Sequence, residues 1–190
     1  EIIVVDDGSE DDSFAIAKSF LKCGIHVYQK ENGGAASARN FGVSHSTGEY
    51  LAFLDSDDVW LPERIDKMVC AGSGADEPCI VYSGYHFVDE YLQPIMRPFV
   101  ATTTSPYHEL VRCRNQMLPS TMMVSREVFN VLGGFLEDED VKGHEDAVFS
   151  LLATRQFISI PVPEPLTLYL YSSSGYGRAP VYDYDHSLYL

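Results

Sequence analysis

The first half of the chain alternates short apolar runs with segments of helical period. Ile2–Val5 is wholly apolar and stops at Asp6-Asp7-Gly8-Ser9. A run that short, bounded by turn residues, reads as a buried strand. Phe14, Ala17 and Leu21 then share one helical face, with Ser9 and Asp12 as an N-cap pair and Gly24 as the stop. Ile25–Gln29 reads as a strand, Asn32-Gly33-Gly34 as a turn, and 35–44 as a helix whose small residues permit close packing. A strand follows at Tyr50–Leu54. Pro62 suits the first turn of a helix, where its missing N–H costs nothing, and Ile65, Met68 and Val69 are the expected apolar face of that helix. Residues 72–78 form a loop, and Ile80–Tyr82 a further strand.

The second half is less regular. Residues 88–115 have weak periodicity and contain Pro94, Pro98 and Pro106, which predicts an irregular excursion with edge strands. Thr121–Val124 reads as a strand and Arg126–Leu132 as a helix closed by Gly133-Gly134. Glu137–Asp140 reads as a solvated charge run. A helix is expected over Glu145–Ala153 and, after Pro161, Pro163 and Pro165, an apolar strand over Leu166–Tyr171. From Ser172 onward the chain is rich in Ser, Gly and Tyr and reads as a peripheral tail. Short strand–helix alternation implies an α/β fold with a mostly parallel central sheet flanked by helices. In such sheets ligands bind beyond the carboxyl ends of the strands. Asp6-Asp7 and the Asp55/Asp57/Asp58 cluster both follow strand ends, so one site can unite them although 48 positions separate Asp7 from Asp55.

A length of 190 residues fits one domain with a substantial core. The formal net charge of -15 argues against nucleic acid, whose phosphates need clustered Lys and Arg, and against simple adsorption to anionic membranes. An acidic protein still binds an anionic nucleotide when a metal ion supplies local positive charge. Cys23, Cys70, Cys79 and Cys113 form no Cys-x-x-Cys pair, which argues against a zinc site and for reduced thiols of a cytoplasmic protein. No apolar run reaches the roughly 18 residues that span a bilayer. Because an apolar run begins at the second residue, the chain is expected to lack a preceding strand that the natural protein carries.

The stretch richest in chemistry is Gly48-Glu-Tyr-Leu-Ala-Phe-Leu-Asp-Ser-Asp-Asp-Val-Trp60. Its apolar strand delivers Asp55 and Asp57 to one point at the sheet edge. Two carboxylates so spaced attract a hard divalent cation, Mn²⁺ or Mg²⁺, which in such sites commonly also binds substrate phosphates. The bland alternative, a strand end followed by an acidic turn, stands for this motif taken alone. Glu145 and Asp146 open a helix, where the macrodipole favours their ionised forms. Simple charging of a helix N-terminus explains that pair equally well in isolation.

Taken together and in order, these stretches resemble the family 2 glycosyltransferases of the GT-A (Rossmann-like) fold. Residues 2–13 are similar to the family's second strand and its turn, and 32–42 to its Gly-rich helix with Ala-Arg-Asn. Residues 48–58 resemble the metal-binding strand, Gly133-Gly134-Phe135 the turn ahead of the acceptor side, and 143–152 the Glu-Asp helix. The resemblance covers 1–171. It implies a nucleotide-sugar-binding part over 1–82, an acceptor-side part over 83–171 and a tail at 172–190. It implies a nucleotide-sugar donor, most often a UDP-sugar, and a carbohydrate or lipid-linked acceptor, without nucleic acid. By the same resemblance Asp7 or Asp6 would bond the nucleobase, with Arg39 and Asn40 lining the nucleotide pocket. Asp55 and Asp57 would serve the ribose and the metal, with Asp58 able to do either. Asp146 would be the catalytic base of an inverting transfer, and Glu145 and His144 would lie on the acceptor side. The implied location is cytoplasmic, at the inner face of the membrane if residues outside these ones attach it.

The sequence departs from the family in three ways. The first strand with its Pro-x-Tyr-Asn-like turn is missing. The Gln-x-x-Arg-Trp signature of processive synthases is absent, since the single Trp60 follows Val59, which implies single additions. The last strand reads Leu168-Tyr-Leu-Tyr171 where relatives often place Arg or His, so a donor-phosphate contact is expected to be lost. Three rivals fit less of the chain. A receiver domain needs a later strand ending in Lys, but no Lys lies between Lys67 and Lys142. A haloacid-dehalogenase-like phosphatase needs a second Asp pair after a strand. A non-catalytic sugar-nucleotide binder leaves the full set of carboxylates without a purpose.

Overall fold

The computed structural model describes residues 1–112 and 117–171. Cys113 and the tail expected at 172–190 therefore lie outside the described residues. The elements in order are β1 (Ile2–Asp6), α1 (Ser13–Ser19), β2 (Ile25–Gln29), α2 (Gly34–Ser44), β3 (Tyr50–Ala52), β4 (Val59–Trp60) and α3 (Arg64–Gly72). They continue with β5 (Cys79–Val88), α4 (Tyr107–Val111), β6 (Met122–Ser125), α5 (Arg126–Leu132), α6 (Glu145–Gln156) and β7 (Ile158–Leu170). The α/β architecture is the one expected. No described helix is long and apolar enough to cross a membrane.

The sheet is mixed rather than mostly parallel. β1 and β2 pair in parallel as a separate ribbon, and the larger sheet runs β3-β6-β5-β7-β4. Within it β5–β7 is parallel, while β3–β6, β5–β6 and β4–β7 are antiparallel. Regular strand–helix alternation stops at Val88. The excursion after it brings the chain back from the opposite end, so β6 enters between β3 and β5 in the antiparallel sense. That excursion is irregular as expected, with isolated bridges Tyr85–Phe99 and Val88–Pro94 and the short helix α4.

Period-2 alternation divides the core between the two faces of the sheet. Ile80, Tyr82, Met122 and Val124 face one cluster with Phe129, Phe135 and Phe149 from the α5–α6 side. Cys79, Val81 and Met123 face the other, with Met68 of α3. β7 is longer than the prolines suggest. Prolines spaced two apart lose donors along one edge only, which leaves the other edge free to pair with β5. The pairing slips at Ser83–Gly84, where Val162 and Pro165 become neighbours of consecutive β5 residues.

The apolar face of α3 is corrected by the structure. Ile65 and Val69 are 41% and 39% exposed, and the buried line is Arg64, Met68 and Gly72. The Arg64 guanidinium lies 4.1 Å from the Trp60 ring centroid and donates through Nη2 to the Met122 carbonyl at 3.3 Å. Its Nε and Nη1 are buried without partners, and burial pulls its pKa down to about 10. Stacking on Trp60 turns the helix by one position, and Gly72 admits the Val81 and Tyr50 side chains closely.

Gly84 sits at the slip in pairing, where an added Cβ would strike the Phe99 carbonyl and come within 3.0 Å of the Pro163 carbonyl. Backbone on both sides cannot yield cheaply. Gly84→Ala is expected to lower unfolding free energy by about 1–3 kcal/mol in urea titration, the cost of overpacking. Gly74→Ala, whose new Cβ would meet only Ala71 O at 3.9 Å, is expected to change it by less than about 0.5 kcal/mol.

Candidate active site

Helix α2 is the spine of the site, and each of its parts holds a different motif. At its start, Asp7 accepts from the backbone N–H groups of Gly33 (3.0 Å) and Gly34 (2.7 Å) and from Lys30 Nζ (2.7 Å). The carboxylate thereby caps the Gly-rich turn and complements the helix dipole. Gly34 has φ of +86°, a conformation that suits glycine and lets both N–H groups converge on Asp7. Asp6 is buried and accepts from Gln29 Nε2 (3.0 Å) and Ser9 N (3.3 Å). The Ser9 hydrogen bonding, above all, holds its pKa low. Both carboxylates expected at the nucleobase thus also tie the turn after β1 to the end of β2 and to the turn that opens α2.

In the middle of α2, Arg39 bridges two acidic segments. Its Nη2 meets Asp55 Oδ1 at 2.5 Å and its Nη1 meets Glu145 Oε1 at 3.5 Å, partners 16 and 106 positions away. The guanidinium lies 5.3 Å from the Phe135 ring centroid and is 14% exposed. Asn40, next along, clamps the turn after α5: its Oδ1 accepts from Phe135 N (2.9 Å) and its Nδ2 donates to Phe135 O (2.8 Å) and Glu137 Oε1 (2.7 Å). Asn40 thus joins motif to motif, where the sequence suggested the nucleotide pocket.

The three carboxylates of the acidic turn point three ways. Asp55 is taken by Arg39. Asp57 is exposed, and among the described residues its carboxylate takes no hydrogen bond or ion pair. Asp58 is 7% exposed; its Oδ1 accepts from Leu170 N at 3.0 Å and its Oδ2 has no partner. Burial pushes its pKa up to about 6, against the pull of Ser120 and of the Leu170 N–H. Ser120 was not foreseen. It is fully buried, its hydroxyl accepts from Asp55 N at 3.0 Å, and its carbonyl accepts from Trp60 Nε1 (2.8 Å) and Thr167 Oγ1 (2.9 Å). A serine between Pro119 and Thr121 gives no sequence signal of such a role, which depends on contacts 47 to 65 positions away.

Asp146 opens α6 beside this turn. Burial raises its pKa, and the nearby Glu145 and Asp55 add to that; the hydrogen bond from Ala147 N (2.7 Å) and the Arg39 charge oppose it. His144 is the exposed N-cap residue, and its carbonyl accepts from Val148 N at 3.0 Å. Tyr169 is a second unforeseen member. Its hydroxyl is pushed up to about 12 by burial and then by Asp58, Asp57, Asp146 and Asp55, so it stands among the same carboxylates. The structure therefore brings Arg39, Asp55, Asp57, Asp58, Glu145 and Asp146 together, with Asp6 and Asp7 bonded around the turn that opens α2 and Asn40 bonded to the turn after α5.

A metal fits this donor set as a shared rather than a closed site. No three His, Cys, Asp or Glu groups among the described residues converge as a cage. Asp57 offers an unpartnered carboxylate and Asp55 a second oxygen. One or two carboxylates completed by substrate phosphates is how Mg²⁺ is commonly held.

Because the Asp58 pKa is higher in the folded than in the unfolded chain, the native state binds that proton more tightly. The stability that Asp58 contributes is then fully present below about pH 4 and is lost as pH rises through about 6. In chelator, the unfolding free energy of wild type is expected to drop across that window by roughly 1–3 kcal/mol more than that of Asp58→Asn, measured by urea titration at each pH.

Comparison with known proteins accords with this geometry. The model of glycosyl transferase family 2 matches residues 1–125. An uncharacterized glycosyltransferase of Rickettsia typhi is 41% identical over 91 residues, 47% of this chain and 28% of that protein. The putative teichuronic acid biosynthesis glycosyltransferase TuaG of Bacillus subtilis is 33% identical over 138 residues, 67% of this chain and 51% of its own length. The chain thus spans only about a quarter to a half of these relatives. Among solved structures, S. aureus TarS 1-349 in complex with UDP-GlcNAc superposes with a TM-score of 0.74 at 18% identity, covering 93% of this chain and 51% of that one. Mannosyltransferase PcManGT from Pyrobaculum calidifontis, in complex with GDP-Man and Mn²⁺, gives 0.64 at 20% identity, covering 93% and 49%. The fold is that of the GT-A glycosyltransferases, and the chain belongs to glycosyl transferase family 2.

Proposed function

We propose that the protein is a metal-dependent inverting transferase that moves a sugar from a nucleotide-sugar, a UDP-sugar first among candidates, to an acceptor hydroxyl. The observation that carries this reading is the Arg39 bridge, which sets the Asp55–Asp58 turn beside Asp146. A cation held by Asp57 and Asp55 would supply Lewis-acid stabilisation to the leaving diphosphate. Asp146 does the proton work. The acceptor oxygen attacks the anomeric carbon from the face opposite the nucleotide, the bond to the diphosphate breaks, and the hydroxyl proton passes to the Asp146 carboxylate. A carboxyl whose pKa is raised by burial is a better base than a solvated one. Arg39 orients Asp55 and Glu145 and offsets part of the repulsion that gathering acids creates. Likeness to TuaG, named for teichuronic acid biosynthesis, supports a polysaccharide or glycoconjugate acceptor. The absent Gln-x-x-Arg-Trp signature supports one addition at a time, and the proposed site of reaction is the cytoplasm, at the inner membrane face where other residues provide attachment.

Calorimetric titration with UDP tests the donor side without relying on turnover. Binding is expected to need Mn²⁺ and to vanish in Asp57→Ala, while urea stability of the variant stays near wild type because Asp57 is exposed and unpartnered. Manganese-independent binding that survives Asp57→Ala would overturn the metal role.

Asp146→Asn separates an enzyme from a binder. It is expected to keep UDP binding and to lose sugar transfer by roughly 10²–10⁴-fold, the usual worth of a general base. Transfer within a few-fold of wild type would remove Asp146 from the mechanism.

A further inference from the structure

We propose that Phe87, Tyr169 and Tyr171 form an aromatic face beside the acidic turn that takes the pyranose ring of a saccharide acceptor. The inference rests on the transferase reading and deepens it, since it assigns the acceptor a chemical class. The three side chains lie on one face of the sheet at the carboxyl ends of the two parallel strands. Phe87 and Tyr169 are register partners, Val88 pairs with Leu170, and Tyr171 N donates to Val88 O at 2.9 Å. Ligands in open α/β sheets settle beyond those ends.

Three features distinguish this strip from ordinary core. Tyr85, one step further in, is 1% exposed, whereas Phe87, Tyr169 and Tyr171 remain half-buried at the surface. The rings meet edge to face rather than stacked, Phe87–Tyr169 at 6.0 Å and 83° and Phe87–Tyr171 at 6.4 Å and 75°, with Tyr85 against the inner side of both Phe87 and Tyr169. The strip is also continuous with the carboxylates. Leu170 N is bound by Asp58, Thr167 on the same face of β7 donates to Ser120 O, and the Tyr169 phenol is influenced by Asp58, Asp57, Asp146 and Asp55. An aromatic face carries negative charge density that attracts the polarised C–H groups on one side of a sugar ring. Carboxylates alongside accept from sugar hydroxyls. A lipid tail would need a wholly apolar groove, and five carboxylates do not provide one. Pockets for small polar ligands combine aromatic walls with a few placed polar groups in this way.

The test is saturation-transfer NMR on the full chain with methyl β-D-glucopyranoside and its N-acetylglucosamine analogue, in UDP and Mg²⁺. Saturation is expected to concentrate on the protons of one ring face. Phe87→Leu, which keeps apolar bulk without a π face, is expected to weaken glycoside binding roughly three- to tenfold. Phe87→Tyr is expected to restore it, with UDP titration unchanged in both. Tyr171→Ala, at the rim and less able to disturb folding, is expected to act as Phe87→Leu does. Saturation spread evenly over the ring, saturation indifferent to Phe87→Leu, or none from a protein that binds UDP would overturn the proposal. So would a UDP-sugar whose own sugar ring takes the face-selective saturation. Face-selective glycoside binding by a protein that fails to bind UDP would uphold the strip and sink the transferase reading.

Discussion

The structure turns on one guanidinium. A chain with a formal net charge of -15 gathers Asp55, Asp57, Asp58, Glu145 and Asp146 at one sheet edge. Like charges at such range repel, by several kcal/mol at the effective dielectric of a protein surface. Arg39 touches both groups of acids at once and is backed by the Phe135 ring, so its charge is spent where two distant segments must meet. Removing it would leave half-buried carboxylates facing each other without compensation, a larger loss than that of a surface ion pair. Helix α2 has to be held stiffly for this to work, which is why Asp7 grips its first turn and Asn40 grips the loop beyond α5.

Much of this was legible in the order of residues. Apolar runs closed by turn residues located β1, β2 and β3, and the helix over Arg126–Leu132 with its Gly133 stop was read to the residue because both end signals are local. The meeting of Asp55 with Asp146 followed from the family resemblance, since Asp146 opens a helix and strand ends pointed only to Asp7 with Asp55. Other features lay beyond local pattern. Arg64 lies outside the expected apolar face of α3, yet it is fully buried, since stacking on Trp60 is a tertiary contact. Pro161 and Pro163 read as breaks, but β7 runs through them because only one of its edges pairs there. The antiparallel entry of β6 has no local signature at all.

The same distinction separates the site residues. Asp55 and Asp57 announce themselves by type and spacing, and Asp146 by its place in the motif order. Ser120, Tyr169 and the clamp made by Asp58 do not, because each acquires meaning only through a partner far along the chain. Asp6, Asp7 and Asn40 also stand in conspicuous motifs, but the hydrogen bonds by which their side chains fix backbone are long-range and have no local signature.

The division of labour within Asp55-Ser-Asp-Asp58 has a mechanical consequence. Asp55 is bound to α2, Asp58 is bound to the end of β7, and Asp57 between them is free to face solvent. A turn of four residues tied at both ends is stiff, so the exposed carboxylate is presented in a defined place. Leu170, which Asp58 holds, lies between Tyr169 and Tyr171. Any shift of the turn is therefore transmitted to the strand that carries the aromatic strip. The buried, half-satisfied Asp58 costs stability, and a hydrophobic residue there would relieve that cost. It would also remove the Asp58–Leu170 hydrogen bond, leaving the β4–β7 pairing and the Ser120 bridge to hold the acidic turn against the end of β7.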